Sequence, residues 1–270
     1  MIFGSTTFTS VQGHQSDEIE TSGLIGNFNP NTGIQTAYWQ NQVSGGKHLR
    51  RFNGITHVGT DEDAGAGNTH YFGFDGSNDY LGEASSGYGG DPLQWDIGTA
   101  FTCCGWYIKE ASDYIYPFAM KVSTAHRWYT QIQNDEDVRL WVEASNNDTF
   151  WTVDKFRNHE GLAADRWFYF CVSHDGSGYW KVYLNGGILF TTKDTAPSSG
   201  SHAARDPSGT APIHIGKRSY GTAYSDSGTG VGHVHIYNRQ LKDSEIRQNF
   251  LASHDIYDNR VFGRNYTGYG

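Results

Sequence analysis

The chain has 270 residues, among them 34 Gly, 8 Trp, 17 Tyr and 15 Phe, and this aromatic content excludes intrinsic disorder. Its net charge is −9, and residues 1–100 contain three basic and 11 acidic side chains with no basic cluster, so we expect no nucleic-acid partner. No apolar run approaches the roughly 18 residues that cross a membrane, so we also expect no membrane insertion.

Strand patterns separated by turn residues fill most of the chain after an extended N-terminal arm at residues 1–22. Within that arm, Met1–Ser16 lacks the apolar stretch of a secretory signal. Tyr71–Leu81 predicts a strand, a polar turn and the start of a second strand. Ala100–Lys109 and Trp167–His174 have almost no polar positions, which predicts strands that are buried on both faces.

The second half of the chain continues this pattern and adds one helical segment. Asn185-Gly186 stands between two strand patterns and predicts a tight hairpin, because both residues tolerate a positive φ. Asp243–Ser253 predicts a helix, since Ile246 and Phe250 share one face. The remaining strands are predicted at Arg127–Ile132, Arg139–Glu143, Tyr179–Leu184, Ile188–Thr192, Ile213–Gly216 and Val231–Tyr237. The fold class is therefore all-β, an antiparallel two-sheet sandwich with one short C-terminal helix.

Five motifs in a fixed order carry a family resemblance. They are Phe72-Gly-Phe-Asp-Gly-Ser-Asn-Asp-Tyr80, Phe101-Thr-Cys-Cys-Gly-Trp106, Trp167-Phe-Tyr-Phe-Cys-Val-Ser-His-Asp175, Val182-Tyr-Leu-Asn-Gly186 and Val234-His-Ile-Tyr-Asn-Arg-Gln-Leu241. Together they resemble the LamG-like jelly rolls of the concanavalin A-like lectin/glucanase superfamily. The resemblance implies a jelly-roll domain at residues 23–257, between the arm and a C-terminal tail at residues 258–270.

The segment before these motifs resembles the lead-in of such domains in structural proteins of tailed bacteriophages. It comprises Gly23-Leu-Ile-Gly-Asn-Phe-Asn-Pro-Asn31 and Tyr38-Trp39. This resemblance implies a virion surface protein, present in multiple copies as a capsid decoration or tail-fibre component. Its expected partners are other virion proteins and host-surface glycans. The alternative is an extracellular lectin module.

The cysteines are too few for a disulfide scaffold. Adjacent residues of a strand point to opposite faces, so at most one of Cys103 and Cys104 can meet Cys171. Three free buried thiols are the favoured interpretation.

One turn is the best metal candidate in the sequence. Asp75-Gly-Ser-Asn-Asp79 gathers carboxylate and amide oxygens of the kind that Ca²⁺ prefers, so Asp75 and Asp79 are candidate calcium ligands. A turn in which these carboxylates cap backbone N–H groups is the favoured interpretation. His233 and His235 share a strand face as a metal pair does, but exposed histidines without a metal are the favoured interpretation.

No catalytic constellation is found in the sequence. Glycoside hydrolysis needs two facing carboxylates, whereas the clusters Asp61-Glu62-Asp63 and Asp135-Glu136-Asp137 lie in turn contexts. A Gly-x-Ser-x-Gly motif is absent as well. We therefore expect a protein that is not an enzyme, and glycan cleavage is only a remote alternative.

The candidate contact surface lies on two adjacent strands. Leu140 and Val142 are predicted to face the core, which places Trp141 outward between Arg139 and Glu143. The same alternation places Arg127 and Tyr129 outward on the preceding strand. An aromatic ring on a polar sheet face marks a contact, so Arg127, Tyr129, Arg139 and Trp141 are predicted to bind a glycan or a protein.

Overall fold

A computed structural model describes residues 18–59, 70–83, 99–110, 113–121, 126–133, 137–144, 150–155, 162–193, 213–218 and 222–257. Within these ranges the chain forms sixteen strands and one helix. Their bounds are β1 (Leu24–Phe28), β2 (Tyr38–Trp39), β3 (Leu49–Phe52), β4 (Thr56–Val58), β5 (Tyr71–Gly73), β6 (Tyr80–Glu83), β7 (Ala100–Ile108), β8 (Ala119–Lys121), β9 (His126–Ile132), β10 (Val138–Ala144), β11 (Phe150–Lys155), β12 (Phe168–Asp175), β13 (Tyr179–Leu184), β14 (Gly187–Lys193), β15 (Ile213–Ile215), β16 (Gly230–Tyr237) and α1 (Asp243–Tyr257).

Two antiparallel sheets form the predicted jelly-roll sandwich. Sheet I has the strand order β14-β13-β12-β7-β16-β5-β4, and β1 also pairs with β16. Sheet II has the order β11-β10-β9-β8-β15-β6-β3-β2. Strands that are neighbours in space come from distant parts of the sequence, as β16 and β7 show. This connectivity is typical of sandwiches built from Greek-key connections.

The main core lies between the two sheets. Sheet I contributes Phe101, Phe170 and Val234, and sheet II contributes Trp128 and Leu140. Val142 also belongs to this core, so the predicted inward face of β10 is confirmed. Burying each such side chain stabilises the fold by about 1.5–3 kcal/mol before the entropy of ordering is subtracted.

Sheet I has a second buried face because helix α1 packs on it. Trp106 stacks on Tyr257 with ring centroids 4.8 Å apart, and its indole N–H donates to the hydroxyl of Ser253 at 2.7 Å. Burial of both faces explains why β7 is apolar at nearly every position. The cluster beneath the helix comprises Cys104, Trp106, Tyr169, Cys171, Tyr183, Tyr237, Leu241, Ile246 and Tyr257.

The helix begins where the sequence predicts it and ends at Tyr257, four residues beyond the predicted end. Lys242 precedes it and has no side-chain acceptor for the first helical N–H groups. Glu245 stabilises this end instead, because its carboxylate accepts the backbone N–H of Lys242 at 2.7 Å and pairs with Arg239 at 2.8 Å. The Arg239 guanidinium accordingly lowers the pKa of Glu245.

The cysteine prediction is wrong in part. Cys104 and Cys171 are direct neighbours across β7 and β12 and form a disulfide, whereas Cys103 is free and buried in the main core. The alternation of faces along a strand allowed at most one disulfide with Cys171. The strand register decides which cysteine forms it, because antiparallel pairing brings the Cα atoms of Cys104 and Cys171 to 4.1 Å.

The predicted hairpin is confirmed, with Asn185 at φ 50° and Gly186 at φ 78° between β13 and β14.

Residues 18–22 of the predicted arm contact helix α1, where the Glu20 N–H donates to Asn249 at 2.7 Å. Residues 1–17 and the predicted tail, 258–270, lie outside the described residues. No helix in the described part of the chain is long and apolar enough to cross a membrane.

Candidate functional site

The outer face of sheet II carries the candidate site. Strand pairing aligns one residue from each of seven strands in a row across this face. Aromatic residues lie at both ends of the row, and the residues between them include the small Ala119 and Gly82. From β10 to β2 the row is Trp141, Tyr129, Ala119, His214, Gly82, Arg50 and Tyr38.

Trp141 and Tyr129 form the aromatic pair that the sequence predicts at one end. Their rings stack with centroids 5.7 Å apart and an interplanar angle of 18°. Trp141 is half-buried, but Tyr129 is only 2% exposed because it packs between Trp141 and Tyr116. Tyr129 therefore points outward as predicted, but its ring is buried by its neighbours.

The two predicted arginines differ in what the structure describes. Arg139 is half-buried two residues before Trp141 on β10, and its backbone lies opposite Gln131 of β9 and Asp154 of β11. The side chain of Arg127 lies outside the described residues, although its backbone pairs with Glu143. Trp141, Tyr129 and Arg139 thus share one region of the face.

A second group on this face was not predicted, and we call it the cation–aromatic ladder: Arg50, Phe52, Tyr80, Lys217 and Tyr224. Phe52 and Tyr80 stack in parallel with centroids 4.3 Å apart. Arg50 lies 4.8 Å from the centre of the Phe52 ring, and the Lys217 ammonium lies 4.4 Å from the centre of the Tyr80 ring. Each stacked ring has one face against its partner, so the cations occupy the opposite faces. Cation–π attraction stabilises both positions.

Close packing at Gly82 holds the ladder together. A Cβ atom at this position would lie 3.0 Å from His214, 3.2 Å from Tyr80 and 3.3 Å from Phe52. Glycine therefore lets the three rings approach over the sheet. Burial and the neighbouring Tyr224 raise the pKa of Tyr80, so its hydroxyl remains a hydrogen-bond donor at neutral pH.

The candidate calcium turn has capping geometry. One oxygen of Asp75 accepts the N–H groups of Ser77 at 2.8 Å and Asn78 at 3.3 Å, and these bonds lower its pKa. Asp79 is 3% exposed, and burial together with the Asp75 charge raises its pKa to about 6. The Arg51 guanidinium opposes that rise. No cluster of three His, Cys, Asp or Glu side chains suited to a metal is found among the described residues.

His233 and His235 are buried, so the expectation of exposed histidines is wrong. They are 7% and 3% exposed, and the Tyr257 hydroxyl accepts the backbone N–H of His233 at 2.7 Å. Burial lowers the pKa of His233 to about 4, and burial with the neighbouring His233 lowers that of His235 to about 3. Alternation on β16 placed both residues on one face, but helix α1 covers that face.

The acidic clusters bring no carboxylate pair into the described site. Residues 61–63, 135 and 136 lie outside the described residues, and Asp137 is buried next to the start of β10. Among the outward side chains of sheet II that the structure describes, none is a carboxylate. This part of the face offers aromatic rings, amides and cations.

These features define a lectin-like sandwich, in which one sheet carries the helix and the other presents rings and polar groups. A family model described as the concanavalin A-like lectin/glucanases superfamily matches residues 76–247. The chain belongs to this superfamily, as its motifs indicated. No curated protein matches the chain.

Solved structures of similar fold come from binding domains and from an enzyme. The botulinum neurotoxin serotype D binding domain is 12% identical, with a TM-score of 0.58 over 84% of this chain and 51% of that chain. A botulinum neurotoxin type C structure, described as interacting with two ganglioside molecules, is 10% identical, with a TM-score of 0.57 and coverages of 85% and 51%. Trypanosoma rangeli sialidase in complex with 2,3-difluorosialic acid is 17% identical, with a TM-score of 0.62 and coverages of 88% and 34%.

The chain thus spans about half the length of the neurotoxin domains and about a third of the sialidase. At these identities the likeness establishes the shared fold alone.

Proposed function

We propose that the chain is a non-enzymatic adhesion module that binds glycans through the outer face of sheet II. The observation that carries this proposal is the different environment of the two outer faces. Helix α1 packs on sheet I, whereas the described face of sheet II presents Trp141, Arg139 and the cation–aromatic ladder. Aromatic rings beside polar groups suit sugars, which have both apolar C–H faces and hydroxyl groups.

The structural neighbours support a binding role. One is described as a receptor-binding domain, one as interacting with gangliosides, and the sialidase holds a sialic acid derivative. The non-enzymatic part of the proposal rests on the sequence, in which the acidic clusters lie in turn contexts and no Gly-x-Ser-x-Gly motif occurs.

We further propose a virion surface setting, in which the chain is held by other virion proteins and presents sheet II outward. The resemblance of residues 23–31 and Tyr38–Trp39 to the lead-in of tailed-phage proteins supports this setting. The structure adds that this segment is part of the sandwich, since β1 pairs with β16 and β2 pairs with β3. Mass spectrometry of purified particles from the source virus tests the setting, and particles without this chain would exclude it.

A glycan array is the direct test of glycan binding. We expect the purified chain to bind a subset of glycans and the Trp141→Ala variant to lose most of that signal. Tyr179→Ala is the matched control, because Tyr179 is an aromatic residue 48% exposed on β13 of sheet I. A silent array, or equal loss in both variants, would refute the proposal.

Calcium dependence through Asp75 and Asp79 is proposed as well, and chelator in a parallel array tests it. Binding that is unchanged by chelator would reject calcium while leaving the glycan proposal intact.

A further inference from the structure

We infer that the glycan is acidic and that its carboxylate or sulfate groups bind the cation–aromatic ladder of sheet II. This inference rests on the proposed glycan-binding function and specifies the chemistry of the ligand. It follows from the charge of this face, from the fixed positions of its cations and from the closed faces of its rings.

The charge of the ladder is positive, whereas the net charge of the chain is negative. The net charge is −9, yet the ladder brings Arg50 and Lys217 together around the stacked Phe52 and Tyr80 rings. A cationic surface on an acidic protein attracts anionic ligands locally while the remainder of the molecule repels them. The ladder therefore favours an anion that also fits its rings.

The ladder holds two of these cations in fixed positions. The stacked rings of Phe52 and Tyr80 separate Arg50 from Lys217, and Lys217 also lies 5.3 Å from the centre of the Tyr224 ring. Cations that rest on rings lose less side-chain entropy when they bind an anion than freely rotating ones do. Two such cations at a set separation fit a saccharide with repeated acidic groups better than one isolated anion.

The rings of the ladder distinguish an acidic glycan from a nucleic acid. Single-stranded nucleic acids bind when their bases stack on open aromatic faces. The Phe52 and Tyr80 faces are covered by each other and by the two cations. What the ladder presents is positive charge together with the Tyr80 and Tyr224 hydroxyls, which match the acidic and hydroxyl groups of a sugar.

The ladder and Trp141 lie on the same face and divide the recognition between them. The residue row places Trp141 at one end, with Arg50 beyond Gly82 toward the other end. Ala119 and Gly82 are buried between the two groups, beneath neighbouring side chains. An oligosaccharide that spans this face can stack on Trp141 while its acidic groups contact Arg50 and Lys217.

The test compares polygalacturonate, hyaluronate and chondroitin sulfate with neutral polysaccharides, including carboxyl-reduced polygalacturonate, by biolayer interferometry at several salt concentrations. We expect the chain to bind at least one acidic polymer and to lose affinity as salt rises. The double variant Arg50→Gln/Lys217→Gln should weaken this binding about tenfold, because each surface ion pair contributes up to about 1 kcal/mol. Lys242→Gln/Arg247→Gln is the matched control, since it removes two positive charges from exposed positions of the helix region.

The remaining outcomes separate the two proposals. Equal binding of neutral and acidic polymers, lost in Trp141→Ala but kept in the ladder variant, would overturn this inference and leave glycan binding standing. Binding to no polysaccharide would overturn both. Oligothymidylate that binds through Arg50 and Lys217 as tightly as the acidic polymers would overturn the assignment to a glycan.

Discussion

Acidification should weaken the docking of helix α1 on sheet I, because His233 and His235 are buried there without charge. Burial lowers the pKa of His233 to about 4 and of His235 to about 3, whereas both groups titrate near 6.5 in the unfolded chain. The unfolded state therefore binds protons first as the pH falls. The stabilisation from these groups is complete above pH 6.5 and is lost progressively between 6.5 and their folded values.

The magnitude follows from the difference between the folded and unfolded values. At pH 5 the unfolded histidines are protonated and the folded ones are neutral, which costs about 2 kcal/mol for each residue. Asp79 acts in the opposite direction, because its pKa is raised to about 6 and the folded carboxyl gains a proton first. This proton uptake by Asp79 offsets about 1 kcal/mol of the histidine destabilisation at pH 5.

Urea unfolding at pH 7, 6 and 5 measures the effect, with His233→Gln/His235→Gln as the test variant. We expect the wild-type free energy of unfolding to fall between pH 7 and 5 by about 4 kcal/mol more than that of the variant. Asp79→Asn is the control, and its free energy of unfolding should fall more steeply between pH 7 and 5 than that of the wild type. Parallel declines in wild type and double variant would refute the assignment of acid sensitivity to this histidine pair.

Two further predictions concern the same side of the sandwich. Replacing Cys104 and Cys171 by serine should lower the free energy of unfolding by about 4 kcal/mol, because the disulfide closes a loop with a sequence separation of 67. Urea titration in the absence of reductant checks this value, and an unchanged midpoint would show that the bond does not form. Glu245→Ala should cost about 1–2 kcal/mol through the lost cap on Lys242 and the lost pair with Arg239. Glu245→Gln keeps an acceptor for the cap, so equal losses in the two variants would contradict the capping role.

Local patterns predicted much of the fold. The apolar run of β7, the Asn185-Gly186 turn and the alternation of β10 depend on neighbours in sequence, and each is found where it was expected. The family motifs supplied the jelly-roll class of the sandwich. The end of helix α1 was missed, because contacts with Trp106 and His233 stabilise its last turn.

The candidate site was harder to predict because it is assembled from distant segments. Phe52, Tyr80 and Lys217 meet only when β3 and β15 pair with either side of β6. The alternation of side chains along β9 gave the direction of Tyr129, whereas its burial depends on packing against the Trp141 and Tyr116 rings. A pattern along one strand contains no information about neighbours on the next.

The contacts between Glu18, Glu20 and helix α1 have a mechanical consequence. The Glu20 N–H donates to Asn249, and the Gln248 amide donates to the carbonyl of Glu18 at 2.8 Å, so residues 18–20 and the helix are joined side by side. A force that pulls residues 18–20 away from the helix acts first on these bonds. Sheet II shares none of them, so its outer face keeps its geometry while they are loaded.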